Sequence, residues 1–139
     1  MSIKRVSPTQ AQQMMDEGGY IYVDVRSIPE FDAGHPVGSY NVPLLHAGPA
    51  GMAPNPAFLD VMQAAFPKDT RIILGCRSGV RSLNAAQYLI DAGYTDVVDQ
   101  RAGYEGPPTD PGWSKLGLAT TTTPAPERTY KKLEAKVSG

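Results

Sequence analysis

The chain has one cysteine, Cys76, in 139 residues, so it can form no internal disulfide. It has two histidines, His35 and His46, and no Cys/His cluster at metal-ligand spacing, so neither a metal nor another cofactor is expected. Neither sign of charge is in excess. The 13 basic and 14 acidic residues leave a net charge of −1, which gives no reason to expect nucleic acid or an acidic membrane as partner. No stretch approaches the ~18 apolar residues of a membrane span, and Met1–Pro8 lacks the apolar centre of a signal peptide. With a lone cysteine, a reducing, cytoplasmic setting is the expectation. No internal repeat is present. Composition is that of an ordinary globular domain, 41% hydrophobic and 19% charged, enough for a core without disulfides.

The order of elements follows from local patterns. Ser7-Pro8-Thr9-Gln10 predicts a helix start, with a serine cap, proline at the first helical position and glutamine three after the cap. That helix should pass Met14 and Met15 and stop at Gly18-Gly19. Residues 3–6 read as a short strand. Residues 20–25, β-branched and aromatic, read as a buried one ending in Asp24 and Arg26. A short helix near 29–33 and a brief strand at 40–42 follow. Residues 46–56 read as a Gly/Pro loop, after which Asn55 caps a helix with Pro56 at its start. Phe58, Leu59, Met62 and Phe66 give that helix an inward face. Leu83, Ala86, Leu89 and Ile90 repeat at helical spacing, and 95–98 is another strand candidate. Strands alternating with helices predict an α/β fold, a central parallel sheet of about five strands with helices on both faces. The domain is expected over 1–118. Residues 119–139 are expected as an exposed tail, extended or partly helical near 130–135.

The chemistry concentrates in residues 71–82. An apolar run ends in Gly75 and Cys76, small and polar residues follow, and a helix pattern begins at about Arg81. A strand–loop–helix unit of this kind aims loop amides and a helix N-terminus at one point and stabilises an anion there. Ligands of open α/β sheets also sit at the carboxyl ends of strands. Arg77 and Arg81 place two cations at the positive end of a helix, which is unfavourable unless an anion completes the site. Ser78, Gly79 and Ser82 are small or hydroxylic and let backbone amides come close to a bound atom. Cys76 is therefore expected as a nucleophile held as thiolate, rather than a small buried hydrophobe. Four residues separate Cys76 from Arg81, one fewer than in cysteine phosphatases. The smaller cradle suits one extra sulfur better than a phosphoryl group.

The chain resembles the single-domain rhodanese family, thiosulfate sulfurtransferases, and within it the plant and bacterial branch. The resemblance rests on Val23-Asp24-Val25-Arg26, Glu30-Phe31, Gly34-His35, Gly38, Asn41-Val42-Pro43 and the whole run from Cys76 to Ser82. Ala85-Ala86, Leu89, Ala92-Gly93-Tyr94, Val97-Val98 and Gly103-Tyr104 follow in family order. There are departures. Pro36-Val37 stands where the family has an Ile-Pro pair, and Ala102 replaces the first of two glycines. Trp113 follows only after an inserted-looking 105–112 segment.

The resemblance implies that Cys76 takes the outer sulfur of thiosulfate as a persulfide and passes it to cyanide or a thiol by a ping-pong mechanism. Backbone amides of Arg77, Ser78, Gly79, Val80, Arg81 and Ser82 would hold that sulfur, and the two arginines would attract the dianion. With no second cysteine, the acceptor must come from outside, and a protein acceptor is possible. Asp24 and Arg26 are a strand-end ion pair or, as the resemblance suggests for Asp24, a brace for the cysteine loop. His35 and His46 are not expected as bases, because an ionised sulfur needs none. Two other readings stand beside the enzyme: a sulfur-relay module serving a protein partner, and a cysteine-dependent phosphatase or arsenate reductase.

Overall fold

The computed structural model describes residues 3–138; Met1, Ser2 and Gly139, the outer ends of the expected 1–118 and 119–139 segments, lie outside it. Strand β1 (Lys4–Val6) leads into helix α1 (Pro8–Glu17), which begins with the capping box foreseen at Ser7 and Gln10. Then come β2 (Ile21–Asp24), α2 (Ile28–Ala33) and the two-residue strands β3 (His35–Pro36) and β4 (Tyr40–Asn41). Strands β5 (Leu45–Gly48) and β6 (Gly51–Pro54) precede α3 (Phe58–Ala65), β7 (Ile72–Gly75), α4 (Val80–Asp91) and β8 (Val97–Gln100). The chain ends in a short 3-10 turn at Trp113–Lys115, β9 (Thr120–Thr121), a second turn at Pro126–Arg128, and α5 (Tyr130–Ser138).

The central sheet has five strands in the order β1-β8-β7-β2-β4, all parallel. Side chains alternate across it, so neighbouring residues of one strand serve two cores. Val23, Ile72 and Leu74 face α3, α4 and α5 through Phe58, Val61, Met62, Ala86, Leu89 and Leu133. Tyr22 and Ile73 face the other way, toward Ala11 of α1 and Trp113. Burying each of these large side chains is worth roughly 1.5–3 kcal/mol, so the sheet is held rigid from both faces. Rigidity matters at the carboxyl edge, where Asp24 and Gly75 stand in register on β2 and β7.

Three expectations are corrected. Residues 46–56 are not an open loop: β5 and β6 pair antiparallel, with Gly48 opposite Gly51 across the Pro49-Ala50 turn. Glycine and proline here serve the turn and an exposed ribbon, and that composition hides the pairing. Asn55 does not cap α3, which starts at Phe58 behind Ala57. Its Oδ1 instead accepts from the Ala57 amide, and its Nδ2 donates to the Pro43 carbonyl and the Tyr130 hydroxyl. Finally, the segment after 119, expected as an exposed tail that is extended or partly helical near 130–135, keeps most of its residues in solvent but is not free of the domain. β9 pairs antiparallel with β3, and α5 lays Tyr130 and Leu133 into the core beside α3. No helix among the described residues is long and apolar enough to cross a membrane.

Candidate active site

Cys76 follows the last residue of β7 and ends the apolar run at the sheet's carboxyl edge. The residue is buried, 2% exposed. The Gly79 amide donates to Sγ at 3.1 Å, and the fully buried Ser82 hydroxyl lies 3.4 Å from it. Gly79 has φ +96°, and a side chain there would run into the Arg101 carbonyl. Only glycine can turn this amide onto the sulfur. Among the described residues, the amides of Arg77, Ser78, Val80, Arg81 and Ser82 donate to no protein acceptor. They are the free donors of a loop and a helix start, and they give the sulfur's surroundings a positive character.

The loop is braced from beneath by the turn after β8. The amide of Tyr104 donates to the Cys76 carbonyl at 2.7 Å, and those of Glu105 and Gly106 both donate to the Arg77 carbonyl. Gly103, at φ +76°, lies so close under Cys76 and Arg77 that a Cβ would meet their backbone. Gln100 holds this turn by accepting from the Ala102 and Gly103 amides and donating to the Gly103 carbonyl. The inserted-looking 105–112 segment closes on itself through the Gly112 amide and the Glu105 carbonyl, and so extends the brace.

Asp24 and Arg26 form a buried ion pair, with Arg26 Nη2 2.6 Å from Asp24 Oδ2 and Nε 2.9 Å from Oδ1. Arg26 also donates to the Gly34 carbonyl, and its guanidinium lies 4.3 Å over the Tyr104 ring. Since Tyr104 also holds the Cys76 carbonyl, the pair is linked to the cysteine loop through that one residue. His35 is buried, stacked on Phe31 with Nδ1 2.7 Å from the Phe31 carbonyl, which fits a structural role.

The two loop arginines are not free. Arg81 makes a double contact with Glu30 on α2, Nη1 to Oε1 at 2.7 Å and Nη2 to Oε2 at 2.9 Å. Burial alone would raise the Glu30 carboxyl, but the hydrogen bonds from Arg81 and Ser27 outweigh it and hold the group at about 2. Arg77 pairs with Glu105 at 2.6 Å, both side chains largely in solvent at 63% and 47% exposure. Ser78 and Val80 sit on the exposed rim. The structure thus brings Gly79 and Ser82 onto the sulfur, points Arg81 at α2 and leaves Arg77 at the surface.

Sequence reasoning did not find the carboxylate partners of the arginines, nor Arg5 and Asp99. Arg5 and Asp99 face each other in register on β1 and β8, 2.7 Å apart. The available signal was the polar pair Asp99-Gln100 closing an otherwise apolar strand, both fully buried.

Comparison with known proteins bears on this geometry. The family model described as "Rhodanese-like domain" matches residues 7–106. "Thiosulfate sulfurtransferase 16, chloroplastic" of Arabidopsis thaliana is 41% identical over 115 residues, 83% of this chain and 90% of that protein. "Thiosulfate sulfurtransferase GlpE" of Haemophilus influenzae is 32% identical over 123 residues, 88% of this chain and 99% of that one. Among solved structures, Rv0390 from M. tuberculosis superposes with a TM-score of 0.74 at 26% identity, covering 88% of this chain and all of that one.

Proposed function

The chain belongs to the rhodanese-like domain family, and on that premise we propose that it moves the outer sulfur of thiosulfate to a thiophilic acceptor through a persulfide on Cys76. The thiolate of Cys76 attacks the outer sulfur, the new S–S bond forms as the bond to the SO₃ group breaks, and sulfite leaves with the electron pair. Cyanide or a thiolate then attacks the outer sulfur of the persulfide and returns Cys76 to the thiolate. The observation that carries this reading is the Gly79 amide on the sulfur, in a loop whose neighbouring amides are free. Gly79 N–H already points at Sγ, and five neighbouring amides have no protein acceptor. Fixed donors of this kind stabilise the charge of a terminal sulfur without reorganising. Two relatives named as thiosulfate sulfurtransferases support the choice of donor.

Arg77 is the cation suited to meet the incoming dianion, because its exposed pair with Glu105 opens at little cost. Arg81, held by Glu30, acts from a fixed position at the start of α4. That anchorage also takes Arg81 away from the role it would have in a phosphoryl cradle. Asp24 and Arg26 brace the loop through Tyr104.

The deciding experiment is mass spectrometry of the protein after thiosulfate treatment. One added sulfur is expected on the Cys76 peptide, released as thiocyanate by cyanide, and none on Cys76→Ser; sulfur carried by the serine variant refutes the assignment. The relay reading has one observation of its own. Val80 and Ile28 are exposed at the starts of α4 and α2, which Glu30 and Arg81 hold together, and they offer a protein acceptor an apolar foothold. Discharge to a protein thiol far faster than to cyanide or small thiols would favour it. A cytoplasmic setting belongs to the same proposal, to be checked by cell fractionation, since one relative is named chloroplastic.

A further inference from the structure

Asp99 is a fully buried carboxylate that the sulfur chemistry above does not use. Its Oδ2 accepts from Arg5 Nε at 2.7 Å, and the same guanidinium donates through Nη2 to the Gly79 carbonyl at 3.2 Å. Its Oδ1 has no hydrogen-bond partner among the described residues. Burial pushes the Asp99 carboxyl up from its ordinary value, and the nearby Ser82 hydroxyl and Arg5 pull it back only in part. Ser82 stands close enough to favour the charged carboxylate, yet outside the geometry of a formed hydrogen bond to Oδ1. On its other side, Ser82 Oγ lies 3.4 Å from Cys76 Sγ.

We propose that Asp99 and Arg5 are positioning residues for the Cys76 sulfur, acting along two arms. Asp99 acts through the Ser82 hydroxyl, and Arg5 acts through Gly79, the residue whose N–H meets the sulfur. The inference rests on the reading of Cys76 as the reacting nucleophile. A buried carboxylate oxygen without a donor draws the Ser82 O–H toward itself, because an unpaired buried acceptor is costly. The lone pairs of Ser82 Oγ then face Sγ and receive the Cys76 S–H. This arm favours the thiol, whereas the Gly79 N–H favours the thiolate. When the sulfur loses its proton, the Ser82 hydroxyl turns from the carboxylate to the sulfur. The pair thereby sets how readily the sulfur ionises, and a thiolate that ionises too easily is a poorer nucleophile. Ionisable groups near enough to feel the sulfur's charge include Tyr22 from β2, kept neutral by burial, and Arg81 from α4.

The test is the pH profile of Cys76 alkylation by iodoacetamide in four proteins: wild type, Asp99→Asn, Ser82→Ala and the double variant, each with its melting temperature. Asp99→Asn should move the profile toward acid by about half a pH unit or more, since the charge that turns the Ser82 hydroxyl away from the sulfur is lost. In the Ser82→Ala background the same change should move it less than half as far, because neighbours acting in series are not additive. Equal shifts in both backgrounds, or none in either, overturn the proposal. Should Asp99→Asn not fold, Arg5→Lys carries the test. It keeps a charge on Asp99 but cannot also reach the Gly79 carbonyl, so alkylation several-fold slower at an unchanged melting temperature supports the proposal, and an unchanged rate overturns it. Alkylation needs no sulfur donor. A wild-type protein that takes up no sulfur from thiosulfate would therefore end the sulfurtransferase reading while this comparison still gave its own answer.

Discussion

Glu30 and Arg81 join the helix that follows β2 to the helix that follows the cysteine loop by two parallel hydrogen bonds, at 2.7 and 2.9 Å. Paired contacts of this kind between guanidinium and carboxylate are directional as well as strong. Here they fix the start of α4, and with it the loop amides, against α2. Ser27 adds its amide and hydroxyl to Glu30 Oε1, so the carboxylate is also the N-terminal brace of its own helix.

The pair should leave a mark on acid stability. Glu30 in the folded chain sits at about 2, below its ordinary value of 4.5. A carboxyl depressed on folding contributes stability that is complete above the ordinary value and disappears as pH falls through the folded one. The melting temperature of the wild type should therefore fall between about pH 5 and pH 2. In Glu30→Gln it should start lower at neutral pH and fall less steeply over that window. Parallel curves for the two proteins would show that the Glu30 pair contributes nothing.

The two loop arginines should separate by what their removal disturbs. Arg77→Ala breaks only an exposed pair, worth about 0–1 kcal/mol, so urea unfolding should be almost unchanged while the apparent KM for thiosulfate rises several-fold. Arg81→Ala leaves a half-buried carboxylate without its cation, and should cost roughly 1–3 kcal/mol in urea unfolding besides its effect on transfer. Arg81→Ala as stable as the wild type would contradict the anchoring role assigned here, and an unchanged KM in Arg77→Ala would remove that residue from donor binding.

Much of this site was legible in the sequence because its signals are local. The apolar run Ile72-Ile73-Leu74, the small residues after Cys76 and the helical repeat from Leu83 place a cysteine at a strand's end under a helix start without tertiary knowledge. The Ser7 and Gln10 cap is local in the same sense and appears as expected. What could not be read was pairing across distance. Glu30 was visible as a residue, but that it takes both prongs of Arg81 depends on how α2 packs. Arg5 and Asp99 lie 94 residues apart in the chain and meet only because β1 and β8 are adjacent in the sheet. The β5–β6 ribbon escaped notice because glycine and proline carry its turn, and strand propensity is weak where neither face is buried.

Gly79→Ala should test the loop's shape directly. The alanine would have to keep a left-handed conformation that costs an L-residue about 1–2 kcal/mol, and its methyl group would press on the Arg101 carbonyl. Relief requires the loop to move, which takes the Gly79 amide off the sulfur. We expect a loss of about 2 kcal/mol or more in unfolding free energy together with a persulfide yield from thiosulfate at least tenfold lower. Full persulfide yield in this variant would mean that the Gly79 amide does not hold the sulfur.

The segment after 119 makes the last prediction, because its composition and its packing disagree. Thr120 to Pro126 and the lysines of α5 look like a solvated tail, yet Leu133 is 1% exposed and the buried Tyr130 hydroxyl accepts from Asn55 Nδ2. The two apolar residues stand three apart on α5, one helical turn, and so share the face that α3 covers. Leu133→Ala removes a buried side chain from the cluster that also contains Phe58, Met62 and Leu74, and such truncations cost about 2–5 kcal/mol. Urea unfolding of Leu133→Ala should show that loss with one cooperative transition, because the residue belongs to the main core and not to a separate unit. Lys131→Ala on the exposed side of α5 should leave the midpoint almost unmoved. If Leu133→Ala were as stable as the wild type, α5 would not be part of the folded core.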